Sequence, residues 1–172
     1  MTRAFQAMLT ALVLLLAGCG YHTAQHSVRL PADIKTVAIP SFANQTQAYR
    51  IEQILTAAVV REFDTRTNYH VTSNPADADA VLHGTVLATQ VAPLTYDSTT
   101  GRAATALVTV TTRISLTDRK GNVLYQNPDY VFHEQYQISR EISSFFEEDT
   151  PALDRLSREF AHTLVADVLE AF

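Results

Sequence analysis

The side chains able to do acid–base, metal or nucleophilic chemistry are scattered along the chain and form no recognisable catalytic motif. The six histidines are dispersed, and His22 and His26, four residues apart, fall in a segment that we predict to be a solvated tether. Glu147, Glu148 and Asp149 could hold a cation, but such a cluster is more often a solvated stretch before a helix. No Gly-rich phosphate loop or Gly-x-Ser-x-Gly motif is present. We therefore expect no enzymatic activity, cofactor or metal.

The residues before the single cysteine, Cys19, give the clearest indication of a chemical modification in this sequence. It follows Leu16-Ala17-Gly18, and small residues there let the scissile bond enter the narrow site of a signal peptidase. This segment resembles the lipobox of bacterial lipoproteins, in which cleavage precedes the cysteine and its thiol carries a diacylglycerol. The alternative is an ordinary signal peptide with an incidental cysteine. A lone cysteine also excludes a disulfide framework.

The residues before Cys19 are typical of a secretory signal. Arg3 gives a short positive region, and residues 8–16 form an apolar run broken by one threonine. This run is too short to anchor the chain, since a membrane-spanning helix needs about 20 apolar residues. We expect residues 1–18 to be a lipoprotein signal peptide and residues 19–34 a lipidated tether. Gly20, where an aspartate would favour the inner membrane, indicates the outer membrane.

Two further groups of side chains are candidates for contact with a ligand or partner. Arg102 lies at one predicted hairpin tip and Arg119 with Lys120 at another, where they would offer positive charge to an anionic ligand. Turns also attract charged residues simply because they are solvated. Phe145 and Phe146 predict either a contact with a partner or acyl chain, or one ring packed under the last helix with the other partly exposed.

Hydrophobic periodicity predicts the elements that position these residues, in the order β-α-β-β-β-β-α. Strands are expected over 36–40, 69–72, 80–92, the stretch after a 97–102 hairpin, and 123–137, with residues 41–46 as a loop. Asn127-Pro128 predicts a bulge or an edge position in the last strand. The final helix is expected to start at Thr150-Pro151, a cap residue followed by proline.

The clearest periods lie in the first helix and in the strand after residue 102. The helix, over about 48–66, repeats apolar residues at spacings of three and four: Ile51, Leu55, Ala58, Val59 and Phe63. The strand alternates apolar residues with threonines, which predicts one buried face: Ala106, Val108, Val110, Ile114 and Leu116. Gly84 marks a bulge or a close approach.

These elements predict one α+β domain over residues 35–172, a two-layer sandwich. Two amphipathic helices would cover one face of a mainly antiparallel or mixed sheet of about four to five strands. The 172 residues carry 13 basic and 18 acidic side chains. That balance argues against a nucleic-acid partner, which would call for a basic excess.

The assembled motifs resemble one family, the lipopolysaccharide-assembly lipoproteins called LptE. The resemblance follows the lipobox and Gly20-Tyr21-His22, and is carried by residues 30–46 (LPADIKTVAIPSFANQT), 49–53 with 60–63, 78–84 and 130–136. It spans essentially the whole mature chain, and the order and spacing of the pieces are more specific than any one of them.

The resemblance implies a lipid-anchored protein on the periplasmic face of the outer membrane. It would reside as a plug in the β-barrel translocon LptD, help that barrel assemble, and help deliver lipopolysaccharide to the cell surface. Basic residues near a hairpin tip are expected to touch lipopolysaccharide, a role that Arg102 could fill. The loop before the last helix is acidic here, at residues 147–149, which argues against lipopolysaccharide binding by that loop.

An alternative comes from the opening strand. Val37-Ala38-Ile39-Pro40-x-Phe42-x-Asn44 also resembles lipoproteins that activate peptidoglycan synthases or build secretion channels, and the amino-terminal domain of TolB. Such a protein would be an adaptor or pore subunit. Three long antiparallel strands followed by one terminal helix favour the LptE order.

Overall fold

The computed structural model describes residues 30–137 and 145–171, the side chains of residues 145–150 excepted. Its elements are β1 (Thr36–Ala38), β2 (Ala43–Asn44), α1 (Ile51–Arg66), β3 (His70–Thr72), a 3-10 turn (Pro75–Asp77), β4 (Ala80–Tyr96), β5 (Ala103–Asp118), β6 (Val123–Gln137) and α2 (Phe145–Glu170). The predicted α+β class is confirmed, with six strands in the described sheet where about four to five were expected.

Three long antiparallel strands, β4, β5 and β6, form the larger part of a mixed sheet. The sheet order is β3-β1-β4-β5-β6, with β2 also pairing with β4. Strands β1 and β2 both run parallel to β4, one after the other along the same edge. The predicted 41–46 loop therefore contains a two-residue strand, because Ala43 and Asn44 pair with Thr85 and Val86.

Helix α1 crosses between the parallel strands β1 and β3 and buries one stripe of side chains on the sheet. Its buried residues are the five apolar positions of the predicted period: Ile51, Leu55, Ala58, Val59 and Phe63. The helix begins at Ile51, after Arg50 in the left-handed region at φ 58°. The amphipathic pattern thus predicted the buried face, and the start lies three residues later than expected.

Strand β5 shows the predicted alternation, with all five predicted apolar residues buried. Thr112 shares their face and is fully buried; its hydroxyl donates to the Tyr130 carbonyl oxygen, which satisfies the polar group. In β6 the expected irregularity is confirmed. Thr112 pairs with Tyr130 and Ile114 pairs with Asn127, so the register shifts at Pro128. Strand β6 is also an edge strand of the described sheet.

Strand β4 continues to Tyr96, four residues past the predicted end, and contains a bulge of its own. Val86 pairs with Thr112 and Ala88 pairs with Thr111, so Leu87 is an extra residue. Because side chains alternate along a strand, this insertion exchanges the two faces of β4 beyond it. Thr89 and Val91 consequently share the helix side of the sheet with their partners Val110 and Val108.

The predicted start of the last helix at Thr150-Pro151 is wrong. Helix α2 begins at Phe145 and contains Pro151 in its interior. Proline lacks the amide that would donate to the carbonyl four residues earlier, so it removes one bond from the ladder without ending the helix. A cap residue followed by proline is compatible with a helix start, but it does not exclude helix on its N-terminal side.

The described core begins at Leu30, within the segment expected to be tether. Leu30 and Ile34 are buried, and the Leu30 amide donates to the Tyr69 hydroxyl at 2.9 Å. We call the end of the sheet where this segment joins β1 the entry end. The opposite end, where β4 turns into β5, is the tip end. No helix of the described residues is long and apolar enough to cross a membrane.

Gly84 is confirmed as a point of close approach, and the bulge lies beyond it. A Cβ atom placed on Gly84 would lie 2.5 Å from the ring of Phe42. We expect Gly84→Ala to lower the free energy of unfolding by about 1–3 kcal/mol through overpacking, measured by urea denaturation.

Phe42→Leu supplies the matched background for that test. In this background the further cost of Gly84→Ala should shrink, because the smaller side chain leaves room for the methyl group. An equal cost in both backgrounds would show that contact with Phe42 is not the reason for the glycine.

Candidate functional site

The structure separates the basic residues that the sequence singled out. Arg102 lies in the β4–β5 turn at the tip end, and Arg119 and Lys120 lie in the β5–β6 turn at the entry end. Strand β5 joins the two turns over 16 residues. At about 3.3 Å per residue, the turns are about 50 Å apart. These residues therefore belong to two places and cannot form one binding site.

At the entry end, Arg119 joins the β5–β6 turn to the sheet. Its Nε donates to the Ala78 carbonyl at 2.6 Å, and a terminal guanidinium nitrogen lies 3.4 Å from Asp79 Oδ1. Asp79 Oδ2 in turn accepts the backbone amides of Lys35 and Thr36, both at 2.9 Å. These amides, together with the Arg119 charge, hold the pKa of Asp79 below its usual value. Arg119 thus stabilises the fold at the entry end.

Lys120 is exposed beside Arg119 and sits on a turn organised by Asp118. The Asp118 carboxylate accepts the Asn122 side-chain amide at 2.8 Å and the backbone amides of Asn122 and Lys120 at 2.9 and 2.8 Å. The Asn122 side chain is the main cause of the lowered pKa of Asp118. Gly121 adopts φ 84°, as expected for its place in the turn.

At the tip end, a hydrogen-bonded turn presents Arg102 to solvent. Asp97 Oδ1 accepts the amides of Thr99 and Thr100 at 3.0 and 2.8 Å, and the Asp97 amide donates to the Arg102 carbonyl at 2.8 Å. Gly101 supplies the positive φ, at 67°, that the turn requires. The Arg102 side chain is exposed and makes no ion pair within the described residues.

An apolar cavity of about 320 Å³ lies between the sheet, the start of α1 and the N-terminal part of α2, toward the tip end. Its lining combines the start of α1, the shifted part of β4, and α2: Ala48, Tyr49, Ile51, Thr89, Val91, Val108, Tyr136, Ala152 and Leu153. The volume is at the small end of the range of ligand sites, about 300–1,000 Å³.

Exposed apolar side chains surround this cavity. Tyr49 is 81% exposed and Val91 is 60% exposed, and Leu94 and Tyr96 continue the exposure along β4 toward the tip. Sequence analysis missed this site because it ended the strand at Ala92. Leu94 and Tyr96 could have indicated an exposed apolar surface, because they are large apolar residues directly before a predicted turn.

Four further groups of predicted candidates concern residues before β1 and around the start of α2. Cys19 and the loop of residues 138–144 lie outside the described residues. The side chains of Phe145 and Phe146 and of the acidic residues 147–149 do so as well, although their backbone opens α2. No group of three His, Cys, Asp or Glu side chains able to hold a metal ion occurs among the residues described.

On the helix side, a second, charged cavity of about 660 Å³ lies between α1, α2 and β6. Glu62 Oε1 lies 3.1 Å from His162 Nδ1 and 3.6 Å from Arg66, while Arg155 donates to Glu134 at 2.6 Å. The Glu62–His162 contact and the hydrogen bond from Arg66 to the His162 carbonyl join α1 to α2, and the Arg155–Glu134 ion pair joins α2 to β6. The arrangement serves to hold the helix layer together.

Comparison with known proteins gives a family match and a shared fold. A model of the family described as LptE, lipopolysaccharide-assembly, matches residues 34–168. No curated protein matches the chain.

Solved structures with the same fold come from several organisms. The chain is similar to a lipoprotein B of Nitrosomonas europaea (TM-score 0.55, 11% identity, 87% of this chain and 90% of that one). It is also similar to a protein of Xanthomonas campestris (TM-score 0.54, 14% identity, 83% of this chain and 90% of that one). A protein of Chlamydia trachomatis shares the fold as well (TM-score 0.52, 12% identity, 78% of this chain and 98% of that one). At such identities the likeness shows the fold alone.

The bonds at the entry end predict a pH-dependent contribution of Asp79 to stability. A carboxyl group whose pKa is lowered by folding stabilises the folded state above its unfolded pKa, 3.8. That contribution is lost as the pH falls through 3.8 toward the lower folded-state value. We expect Asp79→Asn to be less stable than the parent chain at pH 7 in urea denaturation, with the difference shrinking at pH 3.

Asp64→Asn is the matched control, since Asp64 is an exposed carboxylate on α1. Its effect at pH 7 should stay within about 0.5 kcal/mol. A difference for Asp79→Asn that is the same at pH 7 and pH 3 would show that the ionised carboxylate is not the stabilising species.

Proposed function

The chain belongs to the LptE family of lipopolysaccharide-assembly proteins, and from this premise we propose that it is an outer-membrane lipoprotein that plugs an LptD-type β-barrel. In this role it helps the barrel assemble and assists the insertion of lipopolysaccharide into the outer leaflet. The observation that carries the proposal is the family match over residues 34–168, which takes in every strand of the described residues and nearly all of α2. The activity is one of binding and assembly, without catalysis.

The proposed anchor is a lipid on Cys19. The lipobox-like segment before it supports cleavage and acylation, and more than one acyl chain is needed for stable anchoring. The described chain is fixed at the entry end through the buried Leu30. Ten residues lie between Cys19 and Leu30, which makes eleven steps along the chain. A chain of this length reaches at most about 40 Å, so the entry end would face the membrane that holds the anchor.

The proposed contact with lipopolysaccharide lies at the tip end. Lipopolysaccharide combines phosphate groups with acyl chains, and the tip end combines the exposed guanidinium of Arg102 with the exposed apolar residues Val91, Leu94 and Tyr96. At the other end, the contacts of Arg119 with Ala78 and Asp79 leave it less free to bind an anion. Arg102 is therefore the stronger candidate for the phosphate.

The plug role is tested by affinity purification of the tagged, lipidated chain from detergent-solubilised outer membranes. We expect a large β-barrel protein to co-purify in roughly equal amount. Cys19→Ser is the control for anchoring: this variant should lose the acyl groups, measured by mass spectrometry, while its domain stays folded and still recovers the barrel. Recovery of a peptidoglycan synthase or a homo-oligomeric ring would favour the adaptor or pore function over the plug.

Charge reversal tests the ligand contact. Arg102→Glu should weaken the binding of lipopolysaccharide by about two- to fivefold, the range for loss of one solvent-exposed charged contact. Lys120→Glu makes the same change of charge about 50 Å away and should leave binding unchanged. The affinity of each variant for lipopolysaccharide is measured from a binding isotherm. If both variants lose affinity equally, the net charge of the protein controls binding and the tip end does not.

A further inference from the structure

The side of the sheet that faces away from the helices is unusually poor in charge. We call it the open face; it consists of the outward side chains of β4, β5 and β6. The strand register aligns them in rows, of which Gln90, Thr109 and His133 form one and Ala88, Thr111 and Val131 form the next. These three strands contain four Asp, Glu, Lys or Arg residues in total.

Those four charges leave most of the open face neutral. Glu134 belongs to the helix side, where it pairs with Arg155, and Asp118 organises the β5–β6 turn. Arg113 and Asp129 remain, both at the bulge around Pro128. By contrast, five of the 16 residues of α1 are charged. A sheet face that stays in water normally carries interspersed charges, and depletion of charge marks the centre of interfaces.

The open face also has the size of a protein interface. Each of the three strands is at least 15 residues long, which gives a length of about 50 Å, and three strands spaced about 4.8 Å apart span about 14 Å. The resulting area of about 700 Å² is close to the roughly 800 Å² that each partner buries in a standard stable complex.

The side chains of this face select the chemistry of its partner. Thr109, Thr111, Gln90 and His133 offer hydrogen bonds, so a lipid surface would leave them unsatisfied. A second copy packed face to face would need a continuous apolar interior of the kind found in sheet sandwiches, whereas here the polar residues interrupt Ala88, Leu107 and Val131. A protein wall of hydrogen-bonding side chains meets both demands, and the lumen of a membrane β-barrel is polar.

We infer that the open face of β4–β6 is the surface that lies against the inner wall of the barrel, with the charged helix layer turned toward the water of the lumen. This assignment rests on the proposed plug function and adds to it which side of the plug makes the contact. It also places the helix-side cavity and its ion pairs away from that wall.

Site-specific photocrosslinking in the full-length, lipidated chain tests the orientation. A photoreactive residue at Thr109, on the open face, should give an adduct with the barrel protein. The same residue at Gln53, exposed on α1, should give none. An adduct from Gln53 alone would overturn the inference, and so would an adduct from Thr109 at twice the mass of this chain.

Charge insertion gives an independent readout. Thr109→Lys adds a positive charge to the middle of the open face, and the long side chain can extend to solvent in the free protein, so the fold is retained. We expect recovery of the barrel to fall at least fivefold, with the melting temperature nearly unchanged, whereas Gln53→Lys leaves recovery intact. Undiminished recovery with Thr109→Lys would overturn the assignment of this face.

The two proposals fail in different ways. If the unmodified chain recovers no barrel, the plug function is wrong and the orientation falls with it. If the barrel is recovered but the crosslinks come from Gln53, the plug function stands and only the orientation is wrong.

Discussion

The packing of Phe160 of α2 between the helix layer and the sheet is the contact on which the rest of the structure depends. Its ring is fully buried and meets three others nearly edge-on: Phe42 at 6.4 Å, Tyr130 at 6.0 Å and Phe132 at 5.2 Å between centroids. Each such pair adds to the stabilisation from burial, by about 0.5–1.5 kcal/mol. This cluster ties the loop after β1, the edge strand β6 and helix α2 into one unit.

A second contact fixes the rotation of α2 about that cluster. The Tyr130 hydroxyl donates to the Asp167 carboxylate across the interface. Burial, together with this bond, raises the pKa of Tyr130, which therefore remains a donor at any physiological pH. With α2 held near its middle and near its C-terminal end, Ala152 and Leu153 are placed over the sheet at the tip end, where they line the apolar cavity. The site thus depends on packing that lies far from it.

Much of the fold could be predicted because its main elements have one buried side. The stripe of α1 and the alternation of β5 follow from that asymmetry, and both were predicted residue by residue. The two-residue strand β2 could not be, since only pairing with Thr85 and Val86 makes Ala43 and Asn44 a strand. At the site, sequence analysis proposed Arg102 and Arg119 alike as ligand contacts, because the partners of Arg119, Ala78 and Asp79, lie some 40 residues away along the chain. The cavity depends on tertiary contacts of the same kind.

The extra residue in β4, Leu87, makes the tip end unusually sensitive to changes in chain length. Deletion of Leu87 would not change the identity of any later residue of β4. It would, however, move Val91 from the cavity wall to the opposite side of the sheet, and Gln90 in the other direction. An in-frame loss of one codon would therefore rewrite the site without altering any residue that lines it. Related chains that keep the apolar wall should keep this insertion or carry a single inserted residue elsewhere in the strand before residue 91.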